Sequence, residues 1–174
     1  MSQISRDGNS IYIGGELGNQ DVHFALAKIY EAFHKKGYQD IVLDFTSCTA
    51  AFPAPMAILC AQAAFIQKEG ITCYYNPPKD EKLARLFINS NYAHIIDPQE
   101  PRSRFIGFTR VPLTQYHSTS EQSALVNKMV ECILTSMRML TRADMAAVEW
   151  AINEITDNVT SVPTFYRINS TGYA

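Results

Sequence analysis

Strands and helices alternate through the first half of this sequence, and that order predicts an α/β fold: a mainly parallel or mixed sheet covered by helices. Short apolar runs such as Ile41–Phe45 and Ile71–Tyr75 have the length and residue types of buried strands. The stretches between them keep helical spacing and begin and end on helix signals. Past a polar, proline-containing break at Asp97–Ser103, two capping sequences open two long helices. The second half therefore predicts a partial α+β segment, not more of the same sheet.

Each element has its own local reason. Asp7-Gly8-Asn9 is a tight hairpin signal, with Ile4 on a short strand before it and the alternating strand Ile11–Leu17 after it. Asp21 is placed to cap a helix running to about Lys36, with Leu26, Ile29, Tyr30 and Phe33 at helical spacing and Gly37 as the stop. Ile41–Phe45 reads as a buried central strand. Thr46–Phe52 reads as a loop whose hydroxyls, on Thr46, Ser47 and Thr49, bond nearby backbone. A helix follows from about Pro55 to Glu69, since proline suits a first turn and Gly70 an end. Ile71–Tyr75 is the next strand, ended by Asn76-Pro77-Pro78, and Asp80 caps a helix carrying Leu83, Leu86 and Phe87. Tyr92–Ile96 is expected as a short edge strand, and Phe105–Pro112 as a strand opening the second half. Ser118 and Glu121 form a capping box before a helix from Glu121 to Leu140. Thr141 and Asp144 repeat the signal before a helix that holds Glu154, Asp157 and Asn158. Its expected core row is Val148, Ile152, Ile155 and Val159. The tail from Pro163 has no clear period.

Composition narrows the function. The 174 residues are 47% hydrophobic and 18% charged, as in ordinary globular domains. A formal charge of −2 and a pI near 6.1 argue against nucleic acid as a partner. The longest apolar run, Phe52–Ile66, is broken by two prolines and Gln62 and argues against a membrane span. No secretion signal opens the chain, so a cytoplasmic setting is expected. Cys48, Cys60, Cys73 and Cys132 have neither CxxC spacing nor a nearby histidine, and read as reduced core thiols. His23, His34, His94 and His117 are scattered, and none has the context of a nucleophile and its base.

The run of elements from Ile11 to Asp97 resembles the STAS domain, the module of anti-sigma-factor antagonists and sulfate-transporter tails. The strand Ile41–Phe45, the loop Thr46–Phe52, the helix after Pro55, the stretch Gly70–Pro78, the helix Leu83–Phe87 and the close Ala93–Asp97 carry the likeness. It implies a STAS-like domain over 1–98, a linker over 99–104 and a bacterial regulatory role through protein contact. The implied partner is a sigma, anti-sigma or kinase-type regulator. The implied binding surface is the loop Thr46–Pro55 and the exposed face of the next helix. In the antagonist members a serine at the start of that helix is phosphorylated. Here the place is taken by Pro53-Ala54-Pro55-Met56-Ala57, without a hydroxyl, so that switch is lost at that position.

A second likeness sits near the C-terminus. Val148-Glu-Trp-Ala-Ile-Asn-Glu154-Ile-Thr-Asp157-Asn158 looks like the first ATP-site motif of the gyrase, histidine-kinase and anti-sigma-kinase ATPases, the GHKL superfamily. Glu154 and Asn158 lie four positions apart and project from one side of a helix. The resemblance implies Mg-ATP as cofactor, Asn158 as the magnesium ligand, Glu154 as polar partner or catalytic base and Asp157 as support. Hard oxygen ligands of this kind suit magnesium. The family also needs an Asp-x-Gly-x-Gly turn and a glycine-rich lid, yet after Asn158 come 16 residues with Gly172 as their one glycine. The expectation for 105–174 is therefore an incomplete histidine-kinase-like ATPase segment: a natural truncation, a disrupted reading frame or a fragment of a longer parent. A third reading pairs the two long helices with a second copy, as a homodimer, or folds them back on the first domain.

Overall fold

The computed structural model describes residues 3–103, 111–137 and 139–161, with side chains as far as Thr156. Two compact units divide the chain, Met1–Arg104 and Phe105–Ala174. The fold is mixed α/β.

In the first unit, β1 (Gln3–Asp7) and β2 (Ser10–Leu17) form an antiparallel hairpin with Asp7 opposite Ser10. Gly8 turns it at a φ of 57°, a left-handed value that suits glycine. β3 (Asp40–Asp44) runs parallel to β2, and β5 (Thr72–Asn76) parallel to β3, giving the order β1-β2-β3-β5. β4 (Cys48–Ala51) lies off this path and pairs in parallel with the end of β2, Leu17 opposite Ala51. The helices are α1 (Val22–Tyr30), continued by a π-helical turn over Glu31–Lys35, then α2 (Pro53–Lys68), α3 (Glu81–Asn89) and α4 (Tyr92–Ile96). Steps from β2 to β3 to β5 go one way across the sheet, so α1 and α2 are crossovers on the same sheet face, and they pack side by side.

That face holds the core. Ile11, Ile13, Ile41, Leu43 and Phe45 from the sheet meet Ile29, Met56, Leu59 and Ile66 from the helices, all at most 1% exposed. Phe45 lies 5.1 Å from Phe87 in an edge-on pair, and Phe87 lies 5.7 Å from Tyr92, which pins α3 and α4 to the sheet. The opposite sheet face carries exposed Tyr12, opposite half-buried Asp44, and exposed Tyr74, opposite half-buried Val42. β3 thus alternates, with Ile41 and Leu43 buried and Asp40, Val42 and Asp44 half-buried.

Several expectations are corrected. Tyr92–Ile96 is a helical turn, not an edge strand. Asn91, at a left-handed φ of 63°, ends one helix and starts the next. The Gln67 amide of α2 then donates to the carbonyls of Ile95 and Ile96 at 3.3 and 2.7 Å, and β5 is left as the edge. Cys48–Ala51 is a strand within the expected loop, created by its pairing with β2. Asp21 has helical dihedrals and makes no side-chain cap; its carboxylate accepts instead from the Gly18 N–H at 3.0 Å. Tyr30, expected in the core row, is exposed and packs against His34 in a tilted pair with ring centres 4.4 Å apart.

The second unit contains α5 (Thr119–Ser136) and α6 (Ala146–Ser161). Ser118 accepts from the Glu121 N–H at 3.2 Å, while Glu121 reaches past it to the His117 N–H at 2.7 Å. α5 stops at Ser136, short of Leu140. Thr141 and Asp144 form their reciprocal pair within the turn that precedes α6. The two helices meet through buried Leu125, Val126, Val130 and Met145, and Gln122 donates to the Thr156 hydroxyl at 2.6 Å. Met145, Ile152 and Thr156 recur at helical spacing, so this is the inward row of α6. Val148 and Ile155, expected inward, are 41% and 66% exposed. Val159, the tail from Pro163 and most of Phe105–Pro112 lie outside the described side chains.

Candidate binding surface

The loop after β3 is tied down by Asp44. Its Oδ1 accepts from the Thr46 N–H at 2.9 Å and the Thr46 hydroxyl at 2.6 Å, and its Oδ2 accepts from the Asn76 amide at 2.9 Å. The Thr46 hydroxyl thus bonds a carboxylate, where backbone was expected. Burial pushes the Asp44 carboxyl up, but the Thr46 and Asn76 hydrogen bonds and the nearby Lys79 charge outweigh it, and the group ends below its ordinary value. The Lys79 N–H also bonds the Thr46 carbonyl at 3.3 Å, and Gly15 N–H bonds the Ser47 carbonyl at 2.9 Å. The loop is held between β2 and β5 at the carboxyl ends of the strands.

Phe52 leads out of β4 in extended conformation, its N–H bonded to the Leu17 carbonyl, and Pro53 opens α2. α2 buries Pro55, Met56, Leu59, Cys60, Ala63 and Ile66. Beyond Pro53, which is exposed at its start, the residues left outward are Ala54, Ile58, Ala61, Phe65 and Lys68. Steps of four and three keep these on one line of the helix. Phe52, Ile58 and Phe65 are 53%, 43% and 51% exposed, and no charged residue occurs from Phe52 to Gln67. A water-facing helix row is ordinarily polar, so this apolar row departs from the usual pattern of an exposed helix face. On α1, which packs against α2, Phe24, Ala27 and Tyr30 are exposed as well. The sequence points to the loop and the face of α2 but misses the contribution of α1, because Tyr30 fits the inward row equally well by spacing.

Other reactive groups are spent on the core. All four cysteines are free and buried, and burial pushes the Cys60 thiol up to about 12 and that of Cys73 to about 11. Neither is a thiolate near neutral pH. Tyr75 buries its hydroxyl without a hydrogen-bond partner among the described residues, and burial pushes its pKa up, making it a weaker acid. His94 bonds the Glu100 carbonyl at 2.8 Å through Nδ1 and serves the turn after α4.

On α6, Glu154, Asp157 and Asn158 share one continuous helix. Glu154 is exposed, two positions from both Ile152 and Thr156 and so on the side turned away from α5. The side chains of Asp157 and Asn158 lie outside the described residues. Among the described residues no three His, Cys, Asp or Glu side chains come together to hold a metal ion. Glu154 by itself does not make a magnesium site. The second unit also has an apolar groove of about 390 Å³ lined by Val111, Met129, Cys132, Ile133, Ser136, Met137 and Ile152. No helix among the described residues is long and apolar enough to cross a membrane. Comparison with protein-family models and with curated proteins found no match.

Proposed function

We propose that this chain is a STAS-like regulatory protein of bacterial signalling that works in the cytoplasm by binding another protein. The contact surface is the loop Thr46–Pro55 together with the outward row of α2. One observation carries this reading: α2 shows solvent an unbroken apolar row, Ala54, Ile58, Ala61 and Phe65, where its fold has no use for apolar side chains. The partner it fits is a sigma, anti-sigma or kinase-type regulator. The first turn of α2 offers no hydroxyl over 53–57, so binding here is not gated by a phosphate at that position.

The test is affinity capture with the full chain, beside Ile58→Glu and Phe65→Glu variants shown to be folded by circular dichroism. Proteins retained by the parent and released by both variants support the reading. Retention of every captured protein by both variants rejects it. The rival from another class, Mg-ATP held by Asn158 with Glu154 and Asp157 beside it, rests on the sequence resemblance. Calorimetric titration of the chain with Mg-ATP, with Asn158→Ala as control, decides it: binding that disappears in the variant establishes that site. Sedimentation of the parent chain at rising concentration decides the homodimer reading.

A further inference from the structure

α1 and α2 begin together and end together. At their starts, Leu17 and Ala51 are paired in the sheet and Phe52 bonds back to Leu17. At their ends, β3 and β5 pair Asp40 with Thr72, and the Thr72 N–H bonds the Gln39 carbonyl at 3.0 Å. The helices therefore run parallel, and their last turns share one edge of the molecule. Lys35, Lys36 and Lys68 are all exposed at that edge, and among the described residues none of them has an ion pair. Of the acids at this edge, Glu31 already pairs with Arg6 and Lys28 and Asp40 accepts from the Asn9 amide at 2.6 Å, which leaves Glu69 and, on the hairpin turn, Asp7. The opening end carries Glu16, Asp21 and Asp44, with Lys79 beside Asp44 as its lysine. The apolar surface thus has a direction, uncharged along its length and basic at one end.

We infer that the occupant of this surface is an amphipathic helix of a partner protein that carries acidic residues at one end. This rests on the protein-contact reading and specifies its chemistry. Apolar side chains at helical spacing lie along Ile58, Ala61 and Phe65, and the acidic end meets Lys35, Lys36 and Lys68. The charges choose the partner and its direction, and the apolar row holds it. Lysines in a last turn also answer the helix dipole, so a stability measurement does not separate the two roles and a binding measurement does.

The probes are two fluorescent peptides of about four helical turns with the same apolar row, one ending in a run of Glu and the other in Lys at the same places. Each is titrated into the full chain and into two variants, Ile58→Glu and the triple charge reversal Lys35→Glu, Lys36→Glu, Lys68→Glu, all shown to be folded by thermal melting. The expected result is about tenfold tighter binding of the acidic peptide at low salt, equivalent to about 1.4 kcal/mol, with the preference shrinking as salt rises. Ile58→Glu weakens it and the triple variant prefers the basic peptide. Equal binding of both peptides, lost in Ile58→Glu, overturns the acidic-helix inference and leaves the protein-contact reading standing. Binding of neither peptide, or a parent chain that dimerises across this face and becomes monomeric in Ile58→Glu, also overturns it; the capture experiment then judges the wider reading on its own.

Discussion

Removing the Asp44 carboxylate tests whether the candidate loop is held from β3. Asp44 accepts three hydrogen bonds, two from Thr46 and one from Asn76. Hydrogen bonds to a charged acceptor contribute about 1.5–3 kcal/mol each, and a half-buried group sits at the low end of that range. Water reaches part of the site in an Asp44→Ala variant and satisfies some orphaned donors, so the expected loss is about 2–3 kcal/mol. Asp44→Asn keeps one oxygen for both Thr46 donors. It recovers the Asn76 bond only if that amide turns over, and about 1 kcal/mol is lost. Urea unfolding at neutral pH measures both values. The pH dependence follows from the direction of the Asp44 shift. Its carboxyl lies below the ordinary 3.8 in the folded chain, so its contribution is complete above 3.8 and is lost as pH falls from there through the folded value. The gap between parent and Asp44→Asn is therefore flat from neutral pH down to about that point and closes below it. An Asp44→Ala cost under about 0.5 kcal/mol, or a gap that closes well above 3.8, refutes the reasoning.

Neighbouring positions on α2 separate folding from binding. Leu59→Ala is expected to cost about 2–5 kcal/mol in urea unfolding, because Leu59 is fully buried. Ile58→Glu is expected to change stability by no more than about 0.5 kcal/mol while abolishing partner capture. Tyr75→Phe removes a buried hydroxyl that has no partner among the described residues, so thermal melting should show no loss and a gain of up to about 1 kcal/mol. Asp80→Ala removes an acceptor that holds the Leu83 N–H at 2.8 Å, and should cost about 1 kcal/mol.

Elements with strong local chemistry are legible in the sequence. The Asp7–Asn9 hairpin, the Asp80 cap and the Gly37 stop each depend on a few adjacent residues, and each stands where the sequence puts it. What the sequence does not show is made by distant pairing. Cys48–Ala51 has no strand pattern of its own and becomes β4 because the end of β2 offers it a ladder. Tyr92–Ile96 is too short for its period to be read, and Gln67 from α2 helps settle it as helix by taking two of its carbonyls. For the candidate surface, the charge-free run from Phe52 to Gln67 is plain in the sequence. Which of its apolar rows faces water is not, since α2 carries apolar residues on both sides.

The same ambiguity explains the correction on α6. Its sequence holds two apolar rows, Met145–Ile152 and Val148–Ile155, each at a spacing of seven and each able to serve as core. Hydrophobicity does not choose between them. Polar contacts do: Gln122 of α5 takes the Thr156 hydroxyl, and Arg142 in the turn holds Asn127 and Glu149 at 2.6 and 3.1 Å. Thr156 and Glu149 flank the Met145–Ile152 row, so satisfying them turns that row inward and leaves Val148 and Ile155 outside. In α2, Met56, Leu59, Ala63 and Ile66 fill the space over the sheet and Ile58 and Phe65 stay outside it. In both helices the row available for contact is the one the local fold leaves over, and only the packed structure identifies it.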